Sequence, residues 1–127
     1  MSKKVLIIDD DPEFVEATTN LLDAKGYKVV SASNSVEGIE KAKADPPNII
    51  LLDVMMTTKS EGFDAARNMA KDDNLKNIPV VLITGVRREM NLPFGFEPDE
   101  TWLPVKEVLE KPVLPDKLLK TISDYIQ

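Results

Sequence analysis

The chain contains no cysteine and no histidine. Without cysteine it can form neither a disulfide nor a thiolate metal site. Without histidine it cannot itself donate a phosphoryl group from phosphohistidine, and it lacks the usual transition-metal ligand. Positive charge is also short, with 16 Lys and Arg against 22 Asp and Glu for a net charge of -6. That balance argues against direct binding to nucleic acid or to an anionic membrane surface. No apolar run approaches the length needed to span a bilayer, and no signal peptide precedes the first apolar segment. A cytoplasmic protein is expected. There is no low-complexity stretch and no internal repeat beyond an alternation of short apolar and amphipathic segments.

What remains is a chain of 127 residues, 43% hydrophobic, which suits one domain with a real core. Its 9 prolines fall mostly between apolar segments and punctuate them. Val5 to Ile8 is short and continuously apolar, the pattern of a strand buried on both faces. Asp11-Pro12 reads as a helix N-cap followed by proline at the first helical position. Phe14, Ala17, Thr18, Leu21 and Leu22 then recur at helical spacing, and Gly26 is the expected stop. Tyr27 to Ala32 alternates as an edge strand. Asn34 with Glu37 resembles a capping box for a second helix, ended by Asp45-Pro46-Pro47.

Asn48 to Leu52 is the central strand, closed by Asp53. A loop over Val54 to Glu61 leads to a third helix expected from Gly62 to Asp73. Pro79 to Ile83 is a fourth strand. The segment Leu92 to Pro104, with Phe94, Phe96 and Trp102 among its prolines, reads as an irregular loop packed by its own aromatics. Val105 to Glu110 is the fifth strand. Pro115 opens a last helix whose Leu118, Leu119, Ile122, Tyr125 and Ile126 form one apolar stripe.

Strands alternating with helices imply a parallel sheet covered on both faces by right-handed crossovers. The flavodoxin-like order 2-1-3-4-5 suits five strands and puts the ends of the first and third at the switch point, where ligands bind. Each strand end carries a polar group: Asp9-Asp10-Asp11, Asp53, Thr84 and Lys111-Pro112. Clustered carboxylates repel unless a cation compensates. An all-oxygen set from separate strands, without the dense spacing of a calcium loop, favours Mg2+. Lys111 supplies a point charge for phosphate and Thr84 a hydroxyl donor. With these groups around it, the central Asp53 is the natural nucleophile toward phosphorus. Asp11 reads as a cap and nothing more.

Ile7-Ile8-Asp9-Asp10-Asp11, Leu51-Leu52-Asp53-Val54-Met55-Met56, Ile83-Thr84-Gly85 and Glu110-Lys111-Pro112, in that order, resemble the receiver domain of two-component response regulators over essentially the whole chain. The resemblance implies that Asp53 is the phosphoacceptor, that Asp10 ligates magnesium directly and that Asp9 acts largely through water. It also implies that the backbone carbonyl of Met55 completes the protein's share of the metal shell. Thr84 and Lys111 would contact phosphoryl oxygens, and the Lys111-Pro112 peptide would be cis. The donor would be a histidine kinase or phosphotransfer protein, and output would pass by contact to an effector protein, because no output domain is expected beyond this single domain of residues 1–127.

Two departures stand out. Thr57 replaces the proline usual four residues after the phosphoacceptor, in a loop one residue longer than usual. Val108 occupies the position, three before the lysine, where a switching aromatic ring usually sits. Two other readings compete. One is a receiver-like scaffold that signals through partners without phosphorylation. The other is an aspartyl-nucleophile phosphohydrolase, which would need a second Asp where this chain has Met55. The receiver reading makes the protein a signalling phosphoacceptor and not an enzyme, beyond its own phosphorylation and slow dephosphorylation.

Overall fold

A computed structural model of the protein describes residues 3–53, 67–84, 106–111 and 113–126, with Thr84 described through its backbone only. The elements are β1 (Lys4–Ile8), α1 (Pro12–Ala24), β2 (Lys28–Ala32), α2 (Ser35–Ala44), β3 (Ile49–Asp53), β4 (Val80–Thr84), β5 (Glu107–Glu110) and α3 (Pro115–Tyr125). A further helical stretch covers residues 67–71. The strands form one sheet in the order β2-β1-β3-β4-β5, all neighbours parallel. This is the doubly wound, flavodoxin-like arrangement expected from the alternation of elements.

Side-chain alternation along the central strands divides the core in two. Val5, Ile7, Ile49, Leu51, Val81 and Ile83 point to one face and pack with Leu22 of α1 and with Leu118 and Ile122 of α3. Leu6, Ile8, Ile50, Leu52, Val80 and Leu82 point to the other and pack with Ala42 of α2, Met69 and Leu75. Every residue of β3 is buried. That explains why the strand reads as an unbroken apolar run and not as an alternating one. At roughly 1.5–3 kcal/mol for each buried Leu or Ile side chain, these two layers hold the strand ends in place.

Local signals end the elements where the chemistry requires. Asp11 caps α1, its Oδ1 accepting from the backbone N–H groups of Glu13 and Phe14. Gly26, at φ +90°, lets the chain leave α1: Gly26 N–H donates to the Asp23 carbonyl and Tyr27 N–H to that of Leu22. Asn34 accepts from Glu37 N–H at 2.9 Å, and the Glu37 carboxylate accepts from Ser33 N–H at 3.0 Å, one residue earlier than a strict capping box.

Some boundaries differ from expectation. The third helix ends at residue 71, not Asp73, because the Asp72 side chain accepts from Asn74 N–H at 2.8 Å and turns the chain. β2 begins at Lys28, since Tyr27 is spent closing α1. β3 begins at Ile49, with the Asn48 side chain accepting from Lys4 N–H at 2.8 Å, and it includes Asp53. β4 likewise runs one residue on, through Thr84. β5 begins at Glu107, opposite Val81 near the start of β4. The expected loop over Val54 to Glu61 and the aromatic loop of Phe94, Phe96 and Trp102 lie outside the described residues.

Candidate functional site

Strand register assembles the site. Ile8 pairs with Leu52, so Asp9 follows β1 level with Asp53 at the end of β3. Asp53 pairs with Ile83, and Thr84 pairs with Glu110, so Lys111 follows just beyond the sheet edge. Carboxylate oxygens of Asp9, Asp10 and Asp53 all lie within 4.8 Å of one another. Asp9 and Asp53 are buried, whereas Asp10 is exposed.

Among the described residues, one cation reaches into this cluster. Lys111 Nζ donates to Asp9 Oδ2 at 2.9 Å and lies 3.8 Å from Asp53 Oδ2 and 3.8 Å from Asp11 Oδ2. The Asp9 side chain is only 1% exposed. Its second oxygen, Oδ1, accepts from Asp11 N–H at 2.8 Å. A buried carboxylate is tolerated when its charge is paired and its oxygens are hydrogen-bonded, and Asp9 meets both conditions. The Lys111 ammonium also sits 4.4 Å from the centroid of the Phe14 ring, within cation–π range.

The donor set suits a hard divalent cation. It offers carboxylate oxygen and no nitrogen or sulfur, and among the described residues three carboxylates gather around a single lysine. Each Asp9 oxygen already accepts one hydrogen bond, whereas Asp10 is exposed.

The family model for the response regulator receiver domain matches residues 5–123. The chain belongs to that family. Protein PilH of Pseudomonas aeruginosa is 32% identical over 120 residues, covering 94% of each chain. Among solved structures, the chemotaxis protein CheY4 of Vibrio cholerae superposes with a TM-score of 0.82 at 24% identity, over 99% of this chain and 100% of that one. The receiver domain of a sensor histidine kinase from Pseudomonas aeruginosa gives 0.80 at 18% identity over 98% of each chain, and that structure has a magnesium ion coordinated in its active-site cleft. At these identities the structural likenesses show the fold. Receiver domains belong to two-component signalling: they are phosphoacceptors and generally not true enzymes, they bind Mg2+ at an acidic pocket, and they interact with histidine kinases and effectors.

In this receiver, Asp9, Asp10, Asp53 and Lys111 converge as the sequence implied. The Thr84 backbone lies at the same sheet edge. Met55, Thr57 and Pro112 lie outside the described residues. Val108, at the place of the usual aromatic switch, is half-buried against the cluster built on Leu6, Leu52 and Leu82.

Two contacts escaped sequence reasoning. Asp11 caps α1 as expected, but its other oxygen also faces Lys111. Phe14 belongs to the apolar stripe of α1 as expected, yet its ring also faces the ammonium. The spacing held a clue, since a residue three positions after an N-cap lies one turn on and on the same side of the helix. Among the described residues no helix is long and apolar enough to cross a membrane.

Proposed function

We propose that Asp53 accepts a phosphoryl group from a partner histidine kinase or phosphotransfer protein, and that the resulting charge changes the surface an effector protein reads. The observation that carries this reading is the meeting of Asp9, Asp10 and Asp53 within 4.8 Å, with Lys111 bonded to one and 3.8 Å from another. Asp53 closes the central strand, buried and flanked by all the other groups, which suits the nucleophile. One of its oxygens attacks phosphorus, the bond from phosphorus to the donor's imidazole nitrogen breaks, and the imidazole leaves with that electron pair.

Asp10, Asp53 and the backbone carbonyl of Met55 would hold Mg2+, with Asp9 acting mainly through water. The ion, when bound, supplies positive charge against the incoming phosphoryl oxygens. Lys111 binds one of those oxygens in place of part of its present contact with the carboxylates, and the Thr84 hydroxyl donates to another. The added charge and acceptor oxygens bias the surrounding loops between two arrangements. Slow hydrolysis of the acyl phosphate resets the protein, which otherwise turns over no substrate. The acidic balance of the chain favours action through protein contacts, which we place in the cytoplasm.

The test is incubation with Mg2+ and acetyl phosphate followed by intact mass measurement. A base-labile phosphoryl adduct that is lost in Asp53→Asn is the expected result. Absence of any adduct together with absence of Mg2+ binding would sink the proposal and leave the scaffold reading. Steady phosphate release from many organic phosphates would point to a hydrolase.

A further inference from the structure

We infer that Phe14 is a positioning residue for Lys111, acting through the cation and not through the phosphoryl group. This rests on the phosphoacceptor reading above. A lysine ammonium on a four-carbon stem has several rotamers open to it, and Lys111 retains 20% side-chain exposure, so packing alone does not fix its head. Three carboxylates draw it: Asp9 at 2.9 Å, Asp11 at 3.8 Å and Asp53 at 3.8 Å. The Phe14 ring, its centroid 4.4 Å away, adds an attractive surface with which the ammonium need form no hydrogen bond. Contact with the ring leaves the N–H donors directed at oxygen.

The ring is itself held. Phe14 packs against the cluster that includes Leu118 and Ile122 of α3. Its backbone N–H donates to Asp11 Oδ1 at 3.4 Å, the carboxylate whose other oxygen faces Lys111. One residue thus caps α1, orients the helical turn that carries the ring and shares the cation with it. Beside them, a groove of about 820 Å³ between α1 and α3 has Phe14, Leu21, Val113 and Leu118 on its walls. A leucine at position 14 could fill much the same volume there, but it would offer the ammonium no negative face.

The experiment compares the parent chain with Phe14→Leu and Phe14→Tyr. Two readouts are taken: the NMR shift of the Lys111 ε-methylene protons and the rate of adduct formation from acetyl phosphate with Mg2+. In the parent, the ring should displace the ε-methylene resonance; the leucine variant should lose that displacement and the tyrosine variant keep it. Adduct formation should slow about two- to fivefold in Phe14→Leu and return to the parental rate in Phe14→Tyr. A general packing defect would slow adduct formation in Phe14→Leu without moving the Lys111 resonance. An unchanged Lys111 resonance in Phe14→Leu overturns the inference, as do equal rates in all three proteins. If the parent itself forms no adduct and binds no Mg2+, the phosphoacceptor reading fails, and the Lys111 resonance alone decides whether Phe14 holds the lysine.

Discussion

Replacing Asp10 with asparagine should make this receiver more stable when no divalent cation is present. Asp10 carries a carboxylate within 4.8 Å of two others, while Lys111 directs its own contacts to Asp9, Asp11 and Asp53. Two unit charges at that separation repel by about 0.9 kcal/mol in a water-like dielectric and about 3.5 kcal/mol at an effective value of 20. Asp10 is exposed, so the smaller figure applies. Two such repulsions, reduced by the attraction it loses to the lysine, give a net gain of about 1 kcal/mol. For a domain of this size that corresponds to a rise of about 3–5 °C in the unfolding midpoint.

The assay is thermal unfolding followed by circular dichroism, in low salt with a chelator. It is repeated in about 1 M salt, where screening acts over roughly 3 Å and the advantage should shrink. Added Mg2+ should stabilise the parent through linkage and the variant less, reversing or erasing the order. A variant that is no more stable than the parent in low salt without the ion would refute the reasoning, because the three acids would then not form a strained cluster.

Gly38 packs so closely on β1 that a Cβ added there would lie 2.4 Å from Ile8 Cδ1 and 2.6 Å from Ile8 Cγ1. Gly38→Ala should therefore cost about 1 kcal/mol in urea unfolding, the overpacking outweighing the gain in helix propensity, and Ile8→Val in the same chain should recover part of it. A more stable Gly38→Ala would mean that Ile8 has room to move. At the opposite end of the sheet, the Lys4 ammonium bonds the Asp45 carboxylate and, by that hydrogen bond and its charge, holds the pKa of Asp45 below the ordinary value. A depressed folded-state pKa adds stability above the unfolded value near 4, and this is lost as pH falls through the folded one. Asp45→Asn should thus be slightly less stable than the parent at pH 7 and equal to it in strong acid; a difference independent of pH would show that the pair is unimportant.

The fold was legible because burial imposes simple patterns. Strands covered on both faces must be apolar at every position, so Val5–Ile8, Ile49–Leu52 and Val80–Ile83 announced themselves, and their parallel order followed from the helices between them. Asp9, Asp10, Asp53 and Lys111 were legible as polar residues placed just where such strands run out. Boundaries set by one side chain were harder to see, as where Asp72 halts its helix two residues early. Contacts between elements distant in sequence were harder still. Phe14 satisfied the periodicity of α1 whether its ring met another apolar side chain or an ammonium, so the pattern could not distinguish the two. Asp11 explained itself as a cap and concealed its second role.

The bond between Lys111 and Asp9 joins residues 102 positions apart. Strands β1, β2 and β3 pair among themselves, so the first 53 residues can in principle bring the three acids together while the lysine is still absent. Such a half-built sheet concentrates negative charge before Lys111 can answer it. Lys111 arrives when β5 docks beside β4, itself seated against β3. Closing the sheet and completing the surroundings of the proposed acceptor Asp53 are then a single event.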